Sequence, residues 1–120
     1  MVYEIRRSAT FDTWVVNLND SNARARIAAR IDRLAMGNPG DAKPVGKGVS
    51  EMRVDYGPGY RVYYAQTDRV VFLPLCGGTK GTQDADIKRA LEMNAARAQQ
   101  ASAARRQKAA KGEMTNGNSK

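Results

Sequence analysis

The chain has no histidine and only one cysteine among its 120 residues. Without histidine there is no Ser-His-Asp triad, no Cys-His pair and no histidine-based ribonuclease chemistry. With a single thiol as well, the usual zinc ligand sets cannot be assembled. Cys76 alone cannot close an intramolecular disulfide, which fits a reducing compartment; at the end of an apolar strand it reads as a small buried hydrophobe. Long apolar runs are also missing, and no signal-peptide pattern follows Met1. The expected location is therefore the cytoplasm, with no membrane partner. Acid–base work is left to Glu, Asp, Lys, Arg and Tyr, and neither a metal nor a cofactor is expected.

Positive charge, in contrast, is plentiful. The formal net charge is +8 and the sequence pI about 10.0, so an acidic partner is expected, nucleic acid first and an acidic protein second. The charge is uneven. Residues 97–120 hold six Lys/Arg and one Glu, whereas residues 1–96 hold fourteen Lys/Arg against eleven Asp/Glu. The expected organisation is one domain over residues 1–96, followed by a basic, Ala-rich tail over 97–120. That tail reads as a solvated helix to about Gln107 and as disorder over Gly112–Lys120.

Val2–Arg6 reads as a short strand. Phe11, Trp14, Val15 and Leu18 then follow helical spacing. Asn19-Asp20-Ser21-Asn22 breaks that helix and offers a new N-cap. A second apolar stripe, Ile27, Ile31 and Leu34 with Ala28 and Ala35, ends at Gly37-Asn38-Pro39-Gly40. Two helices so closely joined predict an antiparallel hairpin. Arg24, Arg26, Arg30 and Arg33 flank the second stripe and read as a solvated face. Asp41–Gly48 reads as a loop bearing Lys43 and Lys47.

Residues 48–89 are the most informative stretch. Met52, Val54 and Tyr56 alternate with Glu51, Arg53 and Asp55; Tyr60, Val62 and Tyr64 alternate with Arg61 and Tyr63. Gly57-Pro58-Gly59 joins the two strands. A register pairing Tyr56 with Tyr60 places Asp55 opposite Arg61 and Arg53 opposite Tyr63. Thr67-Asp68 is a second turn, and Val70–Cys76 reads as a buried strand with Pro74 marking a bulge or an edge. Gly77–Gly81 reads as a flexible loop carrying Lys80. Thr82 can cap a last helix, with Ile87, Ala90 and Leu91 buried and Asp84 and Asp86 suiting the positive end of its dipole. The expected class is α+β in the order β-α-α-β-β-β-α: a mostly antiparallel sheet with helices on one face and the other face open.

Arg53, Arg61 and Lys80 are the leading candidates for chemistry, because guanidinium forks and an ammonium bind phosphate and stabilise charge built up in phosphoryl transfer. Glu51 is either a general base or the neutraliser of Arg53 or Arg61. Tyr63 either stacks on an RNA base or is an ordinary strand aromatic. Lys43, Lys47 and Arg53 are further candidate RNA contacts. The Gly-rich segment lacks phosphate-loop spacing, so nucleotide binding is rejected.

GDAKPVGKGVSEMRVDYGPGYRVYY followed by LPLCGGTKGTQDADIKRA resembles the RelE/ParE toxin superfamily, in particular its HigB-like "addiction module killer protein" branch. The likeness runs over about residues 2–95. It implies a toxin held by a cognate antitoxin, expected to be a helix-turn-helix protein. Most RelE-like members cleave mRNA in the ribosome through attack of the RNA 2′-hydroxyl on the adjacent phosphate, so ribosome and mRNA are the implied partners. By position, Arg61 matches the family's central arginine, Arg53 a basic residue of the preceding strand, and Lys80 the basic residue of the loop after the last core strand. A second strand lysine of some members falls at Glu51, and the C-terminal tyrosine or histidine that some use has no counterpart near Asp84–Lys88. The general acid is thus unassigned, and the base lies between Glu51 and Lys80. The expected function is a ribosome-dependent, metal-independent mRNA endoribonuclease. The alternatives are a ParE-like DNA gyrase poison and a non-catalytic RelE-like binding protein.

Overall fold

In the computed structural model, which describes residues 2–118, a five-stranded sheet carries helices on both faces. The elements are β1 (Glu4–Ile5), α1 (Ala9–Val16), α2 (Ser21–Ala35), β2 (Ala42–Gly46), β3 (Val49–Val54), β4 (Tyr60–Asp68), β5 (Val71–Thr79), a short 3-10 turn (Lys80–Thr82) and α3 (Gln83–Asn118). Strand order is β1-β5-β4-β3-β2, with only the β1–β5 pair parallel.

The two N-terminal helices start where side-chain caps allow. Ser8 accepts from the Phe11 amide at 3.0 Å, and Asp20 accepts from the Asn22 and Ala23 amides at 2.9 and 3.2 Å. Their apolar stripes bury Phe11, Ala23, Ile27, Ile31 and Leu34 against Met52, Val54, Tyr60, Val62 and Tyr64. Trp14 and Phe72 lie at the margin of this core, partly buried. The Tyr56 hydroxyl donates to Asp20 at 2.9 Å, and Arg26 lies 4.6 Å over the Tyr56 ring, tying the β3–β4 loop to the start of α2.

Several sequence expectations are corrected. Asp41–Gly48 is not a loop: β2 pairs with β3, Lys43 opposite Glu51, and Pro44 is tolerated because β2 is an edge strand. The β3–β4 register is shifted by two residues, so Val54 faces Tyr60 and Arg53 faces Arg61. A two-residue shift keeps every side chain on its predicted face and changes only its partner. The face expected to be open is covered by α3, which packs Ile87, Ala90, Leu91 and Met93 over Val49, Tyr63, Ala65, Leu75 and Cys76. Arg30 is not solvated: its guanidinium donates to the carbonyls of Arg53 and Pro39, fixing α2 to β3 and to the loop before β2.

Of the expected Gly77–Gly81 loop, Gly77–Thr79 belongs to β5 and only Lys80-Gly81 turns away, and sterics explain the strand. A Cβ on Gly77 would lie 2.3 Å from Trp14, and one on Gly78 would lie 1.8 Å from Asp86. Successive strand residues face opposite ways, so the Gly77-Gly78 pair lets α1 approach one face and α3 the other. The bulge expected at Pro74 is present: Tyr63 pairs with Cys76 and Tyr64 with Pro74, leaving Leu75 without an opposite number. Helix α3 is helical to Asn118, well past the expected end near Gln107 and through most of Gly112–Lys120; Ser119 and Lys120 lie outside the described residues. Among the described residues no helix is long and apolar enough to cross a membrane.

Candidate functional site

Two cross-strand rows on the α3 side of the sheet hold most of the candidate residues. One row runs Lys43, Glu51, Tyr63, Cys76 across β2, β3, β4 and β5. The next, closer to the end of the sheet, runs Arg53, Arg61, Gly78. Lys80 joins this end through its backbone: its amide donates to the Gly59 carbonyl at 2.8 Å, so the turn after β5 closes on the β3–β4 loop. Lys80 and Lys43 are exposed, and Arg53 and Arg61 are half-buried. Lys47 lies apart, in the β2–β3 turn at the opposite end of the sheet.

Glu51 is 0% exposed and fully engaged on one oxygen. Its Oε2 accepts from the Tyr63 hydroxyl at 3.1 Å and from the Gln83 side-chain amide at 2.8 Å. Its Oε1 lies 3.4 Å from Arg53 Nε, an ion pair without hydrogen-bond geometry. A buried carboxylate is retained only if donors and a cation replace its water, and these three groups do so. The geometry therefore favours the neutraliser role for Glu51 over the general-base role.

Tyr63 is also 0% exposed, so its ring presents no open face on which a base could stack. This corrects the expectation of a stacking platform: α3, which the sequence left off this face, covers it. Burial first, and the neighbouring Glu51 carboxylate second, push the Tyr63 phenol well above the ordinary tyrosine range. Burial likewise raises the Cys76 thiol to about 11, which keeps it protonated and inert.

Arg61 has no salt-bridge partner among the described residues, and its Nε is buried without a hydrogen-bond acceptor. Like charges directly opposite in an antiparallel pair destabilise the sheet. Glu51 compensates Arg53, whereas Arg61 has no carboxylate within ion-pair distance among the described residues; the Asp86 carboxylate lies over Gly78, the residue opposite it on β5. The expected Asp55–Arg61 pairing is absent because the register moves Asp55 into the loop. Two guanidinium groups, with Lys80 at the same end of the sheet, thus gather beside the Glu51 and Asp86 carboxylates.

Gln83 and Asp86, which sequence reasoning did not single out as site residues, complete the surroundings. Asp86 accepts from Thr82 and sits over Gly78, and Gln83 latches the first turn of α3 to Glu51. The signal was present as the i, i+3, i+7 series Gln83, Asp86 and Ala90, which puts all three on the face toward the sheet. Among the described residues, no cluster of three or more His, Cys, Asp or Glu is placed to hold a metal ion. The 410 Å³ cavity lined by Pro39, Pro44, Tyr64 and Phe72 lies away from the arginine pair.

No protein-family model matches the chain. A similar protein, an uncharacterized protein of Haemophilus influenzae, is 49% identical over 90 residues, covering 75% of this chain and 91% of that protein. Among solved structures, a chain of the toxin–antitoxin complex RelBE2 from Mycobacterium tuberculosis matches with a TM-score of 0.55 at 19% identity. The match covers 67% of this chain and 100% of that one. At this identity the likeness concerns the fold alone.

Proposed function

We propose that this chain, which belongs to the same family as the uncharacterized Haemophilus influenzae protein and has a RelE-like toxin fold, is the toxin of a type II toxin–antitoxin module and cleaves mRNA at the ribosome. The observation that carries this reading is Arg53 facing Arg61 across β3 and β4, with the buried Glu51 carboxylate beside Arg53 in the next row and Lys80 at the same sheet end. A phosphodiester seated there would relieve the repulsion between the two guanidinium groups.

The reaction needs little else from the protein. The RNA 2′-hydroxyl attacks the adjacent phosphorus, the bond to the 5′-oxygen breaks, and a 2′,3′-cyclic phosphate and a 5′-hydroxyl are left. Negative charge builds on the non-bridging oxygens, where Arg53 and Arg61 act as paired donors and Lys80 as a third cation. With Glu51 sealed, Lys80 is the remaining exposed candidate for the base; in that role it starts as the neutral amine and becomes the third cation as it takes the 2′-hydroxyl proton, while the departing 5′-oxygen is protonated from elsewhere. A water or the ribosome can complete the proton path. The likeness to a toxin–antitoxin complex supports a cognate antitoxin as partner, and a small helix-turn-helix protein fits that role.

One observation favours a non-cleaving toxin of the gyrase-poison kind: α3 carries neither tyrosine nor histidine to act as the acid. Induced expression tests whether Arg61 belongs to the toxic site under either reading. Wild-type chain should arrest growth, and Arg61→Ala at matched level and with an unchanged circular dichroism spectrum should not. Arrest by a folded Arg61→Ala variant would remove Arg61 from the site.

A further inference from the structure

The C-terminal half of α3 has a feature the arginine site does not use. The buried side of this helix follows Ala90 and Asn94, whose side-chain amide donates to the Lys47 carbonyl at 3.2 Å. The same stripe, at steps of three and four residues, continues through Arg97, Ala101, Arg105 and Lys108. Arg97 is the last residue seen to adjoin the sheet end: it bonds Asn94 at 3.0 Å and lines a groove of 300 Å³ with Arg6, Thr67 and Asp68. Beyond it, nearly all residues to Ala109 are exposed, and the molecule measures 64 × 31 × 25 Å. The face of α3 that meets the sheet thus turns basic where the sheet ends.

We propose that this overhanging basic stripe is a second RNA-binding surface, which grips the sugar–phosphate backbone of an RNA strand. Charge is the first argument. Between Glu92 and Glu113 there is no carboxylate and there are five Lys/Arg. The second argument is what the stripe lacks. From Asn94 to Glu113 the only aliphatic side chain is Ala, so an acidic protein would find no apolar anchors of the kind a helix-in-groove partner buries. A polyanion needs none, because counterion release drives the association. Arg97 to Lys108 spans about 16 Å of helix, long enough to follow several phosphates.

The surface is distinct from the arginine site. Arg61 and Asp68 sit at opposite ends of β4, roughly 23 Å apart along the strand, and Arg97 adjoins Asp68. Lys47, which the sequence placed with the RNA contacts, lies at this second end, against Asn94. The inference stands whether or not the first site cleaves RNA.

The test uses a labelled 2′-O-methyl RNA oligonucleotide, which lacks the attacking hydroxyl, and fluorescence anisotropy across a salt series. The full chain is compared with an Arg105→Ala/Lys108→Ala variant and with Arg105→Lys. The alanine variant should bind on the order of tenfold more weakly at low salt. Its slope of log affinity against log salt should be smaller by about 1.4, since each of the two charges removed contributes about 0.7 on a single strand. The lysine variant should keep the wild-type slope, and all three proteins should melt at the same temperature. Wild-type affinity and slope in the alanine variant would overturn the proposal. So would a lowered melting temperature in that variant, which would make these residues part of the fold. Tighter binding of the wild-type chain to poly-glutamate than to the RNA would assign the stripe to an acidic protein instead.

Discussion

Replacing Glu51 should damage stability more than any other single change at the site, although it faces neither a bulk apolar core nor solvent. Glu51→Ala leaves the Tyr63 hydroxyl, which is fully buried, without its acceptor, and the Gln83 amide loses its acceptor too. An unsatisfied buried polar group costs about 1–3 kcal/mol. The change also removes the only carboxylate that, among the described residues, lies within ion-pair distance of Arg53, while Arg61 remains directly opposite. Breaking a fully buried pair costs about 3–5 kcal/mol, but the Arg53 side chain is 37% exposed and water screens part of that loss. The sum worked from these contacts is roughly 3 kcal/mol for Glu51→Ala. Glu51→Gln keeps a carbonyl acceptor and loses only the charge, so it should cost about 1–2 kcal/mol. Urea unfolding followed by Trp14 fluorescence measures both, read as midpoint shifts at constant slope. If Glu51→Ala unfolds within about 0.5 kcal/mol of wild type, the carboxylate is not the keystone of this contact set and its assignment as neutraliser of Arg53 fails.

Gly77→Ala should force Trp14 aside, because the new Cβ would lie 2.3 Å from its ring; a loss of about 1–3 kcal/mol with an altered emission maximum is expected, and an unperturbed spectrum would show the close approach to be wrong. The Tyr63 phenol is raised by burial and by Glu51, so above about pH 10 unfolded tyrosines lose protons that folded Tyr63 keeps. The unfolded chain then binds fewer protons, and stability present below that pH is lost as pH rises through it. Tyr63→Phe should therefore show a shallower alkaline decline in urea midpoint, and an equally steep one would refute the shift. Cys76, held near 11 by burial, should resist a disulfide reagent at pH 8 in the native protein and react at once in urea; rapid native reaction would contradict its burial.

The sequence was read correctly where side-chain periodicity carries the information. The stripe Ile27, Ile31 and Leu34 marks the buried side of α2, and the alternation from Val49 to Tyr64 places Arg53 and Arg61 on one face. It was misread where tertiary context overrides local signals. Pro44 and two glycines argue against a strand over Asp41–Gly48, yet an edge position accommodates Ala42–Gly46. Gly77-Gly78 reads as a loop because glycine is common there, whereas here it makes room for Trp14 and Asp86. The register of the hairpin depends on a loop whose length the Gly-Pro-Gly turn does not fix. A two-residue error preserved the faces and hid the Arg53–Arg61 pair. The burial of Glu51 and Tyr63 was unreadable for a different reason: it depends on which side of the sheet α3 chooses, and no local pattern records that choice.

The central claim, that the arginine pair handles RNA phosphodiesters at the ribosome, is tested most directly by mapping transcript ends. Purified chain is added to translating ribosomes, and the 5′ ends of the mRNA are read by primer extension, with Arg61→Ala and Arg53→Ala in parallel. The account predicts codon-phased cuts with the wild-type chain, at least about a hundredfold fewer with either variant, and none when translation is halted before addition. Uncut mRNA with the wild-type chain, alongside an SOS response in cells that express it, would contradict the ribonuclease account and place the toxin at gyrase.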